Sequence, residues 1–149
     1  MNKSTLVALM VVGCAVASPA VAQDRPVAGR IKVSSGEAYV LRDGAQTPAQ
    51  LGQVVYESDG LRTGAAGKIG VTLNDDTRLS LGPNSELKLE KFTFAPADSN
   101  FSLVLRFIKG ASTYVSGRIA KMAPSATRLE TPAAIIGVRG TTLAINVTE

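Results

Sequence analysis

Few residues in this 149-residue chain are of types that do chemistry: there is no His, no Trp and one Cys, Cys14. Without His the chain cannot assemble a Ser-His-Asp triad, a Cys-His dyad or a His-ligated metal centre. Carboxylates, amines, hydroxyls and guanidinium groups remain. Two acidic pairs, Glu57 with Asp59 and Asp75 with Asp76, are of the type that serves Ca2+ binding or glycoside hydrolysis. Both lie among turn signals, where Asp is a routine solvated residue, so we expect them at the surface. Ser85-Glu86-Leu87-Lys88 matches the S-x-x-K spacing of penicillin-interacting enzymes, in which Ser and Lys share one face of a helix. Here the two flank an alternating strand, and a spacing of three puts them on opposite faces. No S-D-N or K-T-G element completes the set. The sequence therefore predicts no catalytic residue, no metal site and no cofactor.

Gly137-Val138-Arg139-Gly140-Thr141 is the segment that invites a binding role. Glycines beside an Arg let backbone or ligand approach closely, and Arg offers five donors in a planar fork. Gly137, Arg139, Gly140 and Thr141 are thus the candidate binding residues, aimed at a carboxylate or at a partner's backbone carbonyls. The competing role is structural, with Arg139 pinning a strand end inside its own domain. Of the two, the structural role is the expectation.

The elements that would hold these residues are strands. Phe101, Leu103, Leu105 and Phe107 alternate with polar or smaller neighbours, as do Ile69, Val71 and Leu73, then Leu79 and Leu81, then Leu87 and Leu89. Asn74-Asp75-Asp76-Thr77 and Gly82-Pro83-Asn84-Ser85 supply turns between them. The apolar parity shifts between Leu87/Leu89 and Phe92/Phe94, which predicts a β-bulge. Ala111 to Ser116, Thr127 to Thr131, Ile135 to Val138 and Thr142 to Val147 are further strands. Ser116 to Pro124 reads equally as a helical turn or a strand. Short strands at regular spacing predict one all-β domain of antiparallel strands, of sandwich or β-roll type.

Residues 1–22 have a different logic. Lys3, an apolar run from Leu6 to Ala17 and the small-x-small triplet Ala20-Val21-Ala22 form a cleavable secretory signal. The alternative is a lipoprotein anchored through Cys14 in Val11-Val12-Gly13-Cys14. Residues 23–29 read as a flexible lead-in and residues 30–149 as the β domain. The expected location is periplasmic or secreted. The mature chain would carry no transmembrane helix and no disulfide, leaving packing to hold it.

The net charge is +4, with 16 Lys and Arg against 12 Asp and Glu. No two basic residues are adjacent, and few aromatics accompany them, so nucleic acid is not an expected partner. The expected partner is an envelope protein or a surface polymer. A structural component of an envelope or surface assembly, and a carboxylate-dependent carbohydrate-active enzyme, are the competing readings.

Four segments in order resemble the FecR-type periplasmic domain of bacteria. They are Val55-Tyr56-Glu57 with Leu61-Arg62-Thr63-Gly64, then Asn74 to Leu87, then Val115 to Lys121, then Thr131-Pro132 with Ile136-Gly137-Val138-Arg139-Gly140-Thr141. The resemblance covers Gly29 to Val147. It implies an all-β periplasmic domain without known catalysis, possessing in some members a membrane helix and a cytoplasmic sigma-factor regulator that this chain lacks. One departure is Asp76, where the family commonly has Gly. A link to signalling or iron-uptake regulation is what the resemblance implies, and nothing in composition or spacing adds to it.

Overall fold

Alternation of apolar and polar residues drives the chain into strands whose inner faces meet in one core. The computed structural model describes residues 24–148, so the predicted signal segment and Cys14 lie outside the described residues. Twelve strands follow in order: β1 (Val27–Ser35), β2 (Ala38–Arg42), β3 (Ala45–Pro48), β4 (Val54–Tyr56), β5 (Gly60–Thr63), β6 (Lys68–Leu73), β7 (Arg78–Leu81), β8 (Glu86–Ala95), β9 (Asn100–Val115), β10 (Thr127–Glu130), β11 (Ile135–Ile136) and β12 (Thr142–Val147). One short helix, α1 (Arg118–Met122), lies between β9 and β10. The all-β reading holds.

The strands form one curled sheet with two halves that share β9. Half A joins β12, the end of β9, β7, β6, β1 and β4. Half B joins β3, β2, β5, β8, the start of β9, β10 and β11. The inner faces bring Ile31, Ile69, Leu79, Leu81, Leu87, Leu105, Phe107 and Tyr114 into a single buried cluster. Burial on this scale is the main favourable term for the fold.

Two predictions about strands need correction. Phe101 to Phe107 and Ala111 to Ser116 are not separate short strands; they are one 16-residue strand, β9. Gly110, at φ +81°, bends it from half B into half A without ending it. A Cβ there would collide with Ser85 and the Asn84 carbonyl, so only Gly fits the corner. The sheet is also not wholly antiparallel. β10 runs parallel to β9, pairing Thr127 with Leu103 and Glu130 with Arg106. Two parallel strands need a crossover that carries the chain back to the end where the first began, and the connection holding α1 supplies it. The ambiguous stretch Ser116 to Pro124 is thereby resolved as helical.

The bulge falls where the parity shift put it, between Leu89 and Lys91 against β9. The lead-in is shorter than predicted. β1 begins at Val27, and Ala28 is fully buried. The Asn74 to Thr77 hairpin joins β6 and β7, with Asp76 at φ +69°. Asp76 thus occupies a left-handed position that favours Gly, at the usual small penalty for a non-glycine residue.

Candidate functional site

The acidic pairs predicted as solvated turn residues are not both at the surface. Asp59 and Asp75 are each fully buried. Arg42 grips Asp59 through two bonds, Nε to Oδ1 at 2.8 Å and Nη2 to Oδ2 at 2.6 Å. The Tyr56 N–H donates to the same carboxylate at 2.9 Å, and the Arg42 guanidinium stacks 4.7 Å from the Tyr56 ring centre. The bonds to Asp59 raise the Arg42 pKa above its usual value. Every oxygen of Asp59 is engaged, so it holds the β4–β5 corner to β2 and is not a free acid or base.

Asp75 works in the same way at the other acidic turn. It accepts from the Thr77 N–H at 3.1 Å, the Thr77 hydroxyl at 2.7 Å and the Ile119 N–H at 3.2 Å. Gly117 offers no side chain to cap α1, so a carboxylate from a distant hairpin takes that role. Ser85 is likewise committed: its hydroxyl donates to the carbonyls of Pro83 and Ala111. It is buried, while Lys88 faces outward and pairs with Glu90. The S-x-x-K match brings nothing together. Arg106 stands between Glu90 and Glu130, 3.2 and 3.3 Å from an oxygen of each, and donates hydrogen bonds to Glu130.

These contacts join the sequence motifs to one another. Thr63 Oγ1 donates to the Gly82 carbonyl at 2.6 Å and accepts from the Ser85 N–H at 2.9 Å. Gly117 presses on Asp75 and Thr77 so closely that a Cβ would collide with their backbone. The Ser116 N–H and hydroxyl both donate to the Thr141 carbonyl, at 3.0 and 2.9 Å, and the Thr141 N–H donates to Ser116 Oγ at 2.8 Å. Most motif residues thus serve as clasps between motifs.

The segment from Thr131 to Thr141 differs. It opens on a turn in which the Thr131 N–H donates to the Ala134 carbonyl at 2.8 Å and the Ala134 N–H to Thr131 Oγ1 at 3.1 Å. β11 then pairs with β10, with Ile135 70% exposed. Val138 is buried and anchors the middle, and the Ser116–Thr141 clasp fixes the far end. Between them Gly137, Arg139, Gly140 and Thr141 are all exposed. Gly140 adopts φ +64°, and open space surrounds both glycines.

The expected structural role of Arg139 is not what the structure shows. Among the described residues its guanidinium makes no hydrogen bond or ion pair; only its carbonyl is used, accepting from Thr141 Oγ1 at 3.4 Å. The strand end is pinned by Ser116 and Val138 instead. Their contribution is hard to see in a sequence, since Ser116 lies 25 residues from Thr141. A groove of about 450 Å³ lies beside β11, lined by Arg106, Phe107, Ile108, Glu130, Pro132 and Ile135. A tethered turn carrying an uncommitted planar donor, next to an apolar groove, is equipped for contact with another molecule.

The model of the family described as FecR protein matches residues 59–149, more than half of the chain. The match begins at the buried Asp59 and includes the Asp75–Ile119 and Ser116–Thr141 contacts and the exposed turn. Comparison with curated proteins and with solved structures gave no match.

Proposed function

The chain belongs to the FecR protein family, and from that premise we propose that it is an exported, non-enzymatic binding module of the bacterial envelope. FecR proteins are generally regulators in signalling and associated with the envelope. Among the described residues no helix is long and apolar enough to cross a membrane. The module contacts an envelope protein through the Thr131 to Thr141 segment, with Arg139 as the donor and the Ile135 groove as the apolar anchor. The observation that carries this reading is the free guanidinium of Arg139 on a turn held at both ends. A rigid presentation lowers the ordering cost of recognition. Participation in iron-uptake signalling would be one setting for such a contact.

The test is a photo-reactive residue at position 139 in living cells, with a second one at Asp98 as the exposed control. A discrete adduct from position 139 alone supports the reading. Equal adducts from both positions, or none from 139, contradict it.

A second reading, a structural unit of a surface assembly, draws on β12. This six-residue edge strand carries no charge and no Pro. Edges of that kind accept a further strand. Stable self-association of the purified protein would favour it over the first.

A further inference from the structure

The two halves of the sheet differ in charge as sharply as in position. Half B holds Arg42, Arg62, Lys88, Arg106 and Arg128 in ion pairs with its own carboxylates, and leaves only Lys91 and Lys109 without one among the described residues. The strands of half A carry Arg30, Lys32, Lys68 and Arg78 and not one Asp or Glu. Among the described residues none of these four cations has an ion pair; Arg30 donates only to the Gly52 carbonyl at 3.1 Å. Acids enter half A only at its turns, where Asp76 is taken by Arg118 and Glu37 follows β1. The chain as a whole carries 12 Asp and Glu against 16 Lys and Arg. An acid-free sheet of six strands is therefore a matter of placement and not of composition.

Register arranges the outward residues of half A in three rows. Arg30, Thr72, Arg78, Val115 and Thr142 form one; Val33, Gly70, Ser80, Thr113 and Ala144 the next. The third holds Ser35, Lys68, Ala111 and Asn146. Short side chains leave a shallow recess of about 350 Å³ along this face, bordered by Lys68, Ser80, Thr113, Ala144 and Asn146. Lys68 and the Thr72 row that holds Arg30 and Arg78 are four residues apart along β6, roughly 13 Å. The cations thus stand at opposite ends of the face, with the hydroxyls of Ser80 and Thr113 in the row between them.

We propose that this outward face of half A binds a linear acidic polysaccharide. Separated cations suit charges distributed along an extended chain better than one compact phosphate. The Ser80 and Thr113 hydroxyls between them, and the Asn146 amide in the Lys68 row, both donate and accept, as sugar hydroxyls require. The three rows contain no aromatic residue on which bases could stack, and their only branched apolar side chains are Val33 and the half-buried Val115, too few to wedge into lipid. Like charges facing solvent across a sheet repel one another, and an anionic chain relieves that repulsion. This proposal rests on the envelope-binding reading but uses the recess beside Lys68, which Arg139 does not line.

The test is binding of the purified protein to polygalacturonate, with dextran, poly-glutamate and phosphatidylglycerol vesicles as comparison probes. Lys68→Glu with Arg78→Glu is compared with Lys91→Glu and Lys121→Glu, which changes net charge equally at exposed sites elsewhere. Polygalacturonate should bind, dextran should not, and the first pair should weaken binding about tenfold while the second changes it less than about twofold. Thermal melts of both pairs guard against loss of fold. Equal loss in the two pairs, no binding of polygalacturonate, or poly-glutamate or vesicles binding as tightly would overturn the proposal. Arg139→Ala should leave polygalacturonate binding unchanged, so failure here is distinct from failure of the protein contact at position 139.

Discussion

The Asp75 carboxylate accepts the N–H of Ile119, 44 residues further along the chain, at 3.2 Å. One turn residue thereby caps the crossover helix and fixes the Gly117 corner against the β6–β7 hairpin. Asp75→Ala would leave three donors unmatched, two of them backbone N–H groups in a buried setting. We expect a loss of about 2–4 kcal/mol, read from chemical denaturation at neutral pH. Asp75→Asn, which keeps one acceptor oxygen, should recover part of it. Equal stability of the Ala variant and the parent would refute the capping role.

The Arg42–Asp59 clasp yields a second expectation. Arg42→Ala strands a fully buried carboxylate, and breaking such a pair costs about 3 kcal/mol. Arg42→Lys should rescue little, because a single ammonium cannot reproduce the two-bond fork or the stack on Tyr56. A denaturation series of parent, Arg42→Lys and Arg42→Ala checks the order. Full rescue by Lys would show that charge alone matters.

Tyr114 sets the alkaline limit. Its hydroxyl is buried with no hydrogen-bond partner among the described residues. Burial pushes its pKa above 10.0, and Ser116, already bonded to Thr141, offsets this only in part. The folded state therefore favours the neutral phenol. Its contribution to stability is complete below about pH 10, the unfolded value, and is lost as pH rises through the higher folded value. Tyr114→Phe should match or exceed the parent at pH 7 and lose less stability above pH 10. An alkaline limb identical to the parent's would assign the loss to other groups.

Those three sites show where sequence and structure part company. The core alternation of Leu79 and Leu81, of Phe101 to Phe107, and the bulge at Leu89 are local patterns, and the structure follows them. β3 has no apolar alternation because all four of its residues are exposed, so nothing in its composition marks it as a strand. The bend at Gly110 and the parallel pairing of β10 depend on contacts far apart in the chain. So do the buried states of Asp59 and Asp75: their short polar surroundings look solvated until Arg42 and Ile119 fold onto them. The Gly-flanked Arg139 stood out by composition, yet its freedom from internal bonds became visible only with Ser116 in place as the clasp.

Ser116 supplies the complementary prediction. Ser116→Ala removes the hydroxyl that both donates to and accepts from Thr141. The exposed setting limits the cost to about 1 kcal/mol. Hydrogen exchange should nonetheless quicken at the Thr141 N–H and at the start of β12, as the turn loses its far anchor. Unchanged exchange there would mean that Val138 alone holds the segment.

The most direct measurement compares the parent with Arg139→Ala in two readouts from one preparation: the thermal melt, and formation of the complex trapped through a photo-reactive residue at Gly137. Since the guanidinium makes no hydrogen bond or ion pair among the described residues, the melts should overlay while the complex falls about tenfold or more. A lowered melting temperature would return Arg139 to a structural role. Overlaid melts with undiminished complex would remove it from recognition and with it the proposed contact.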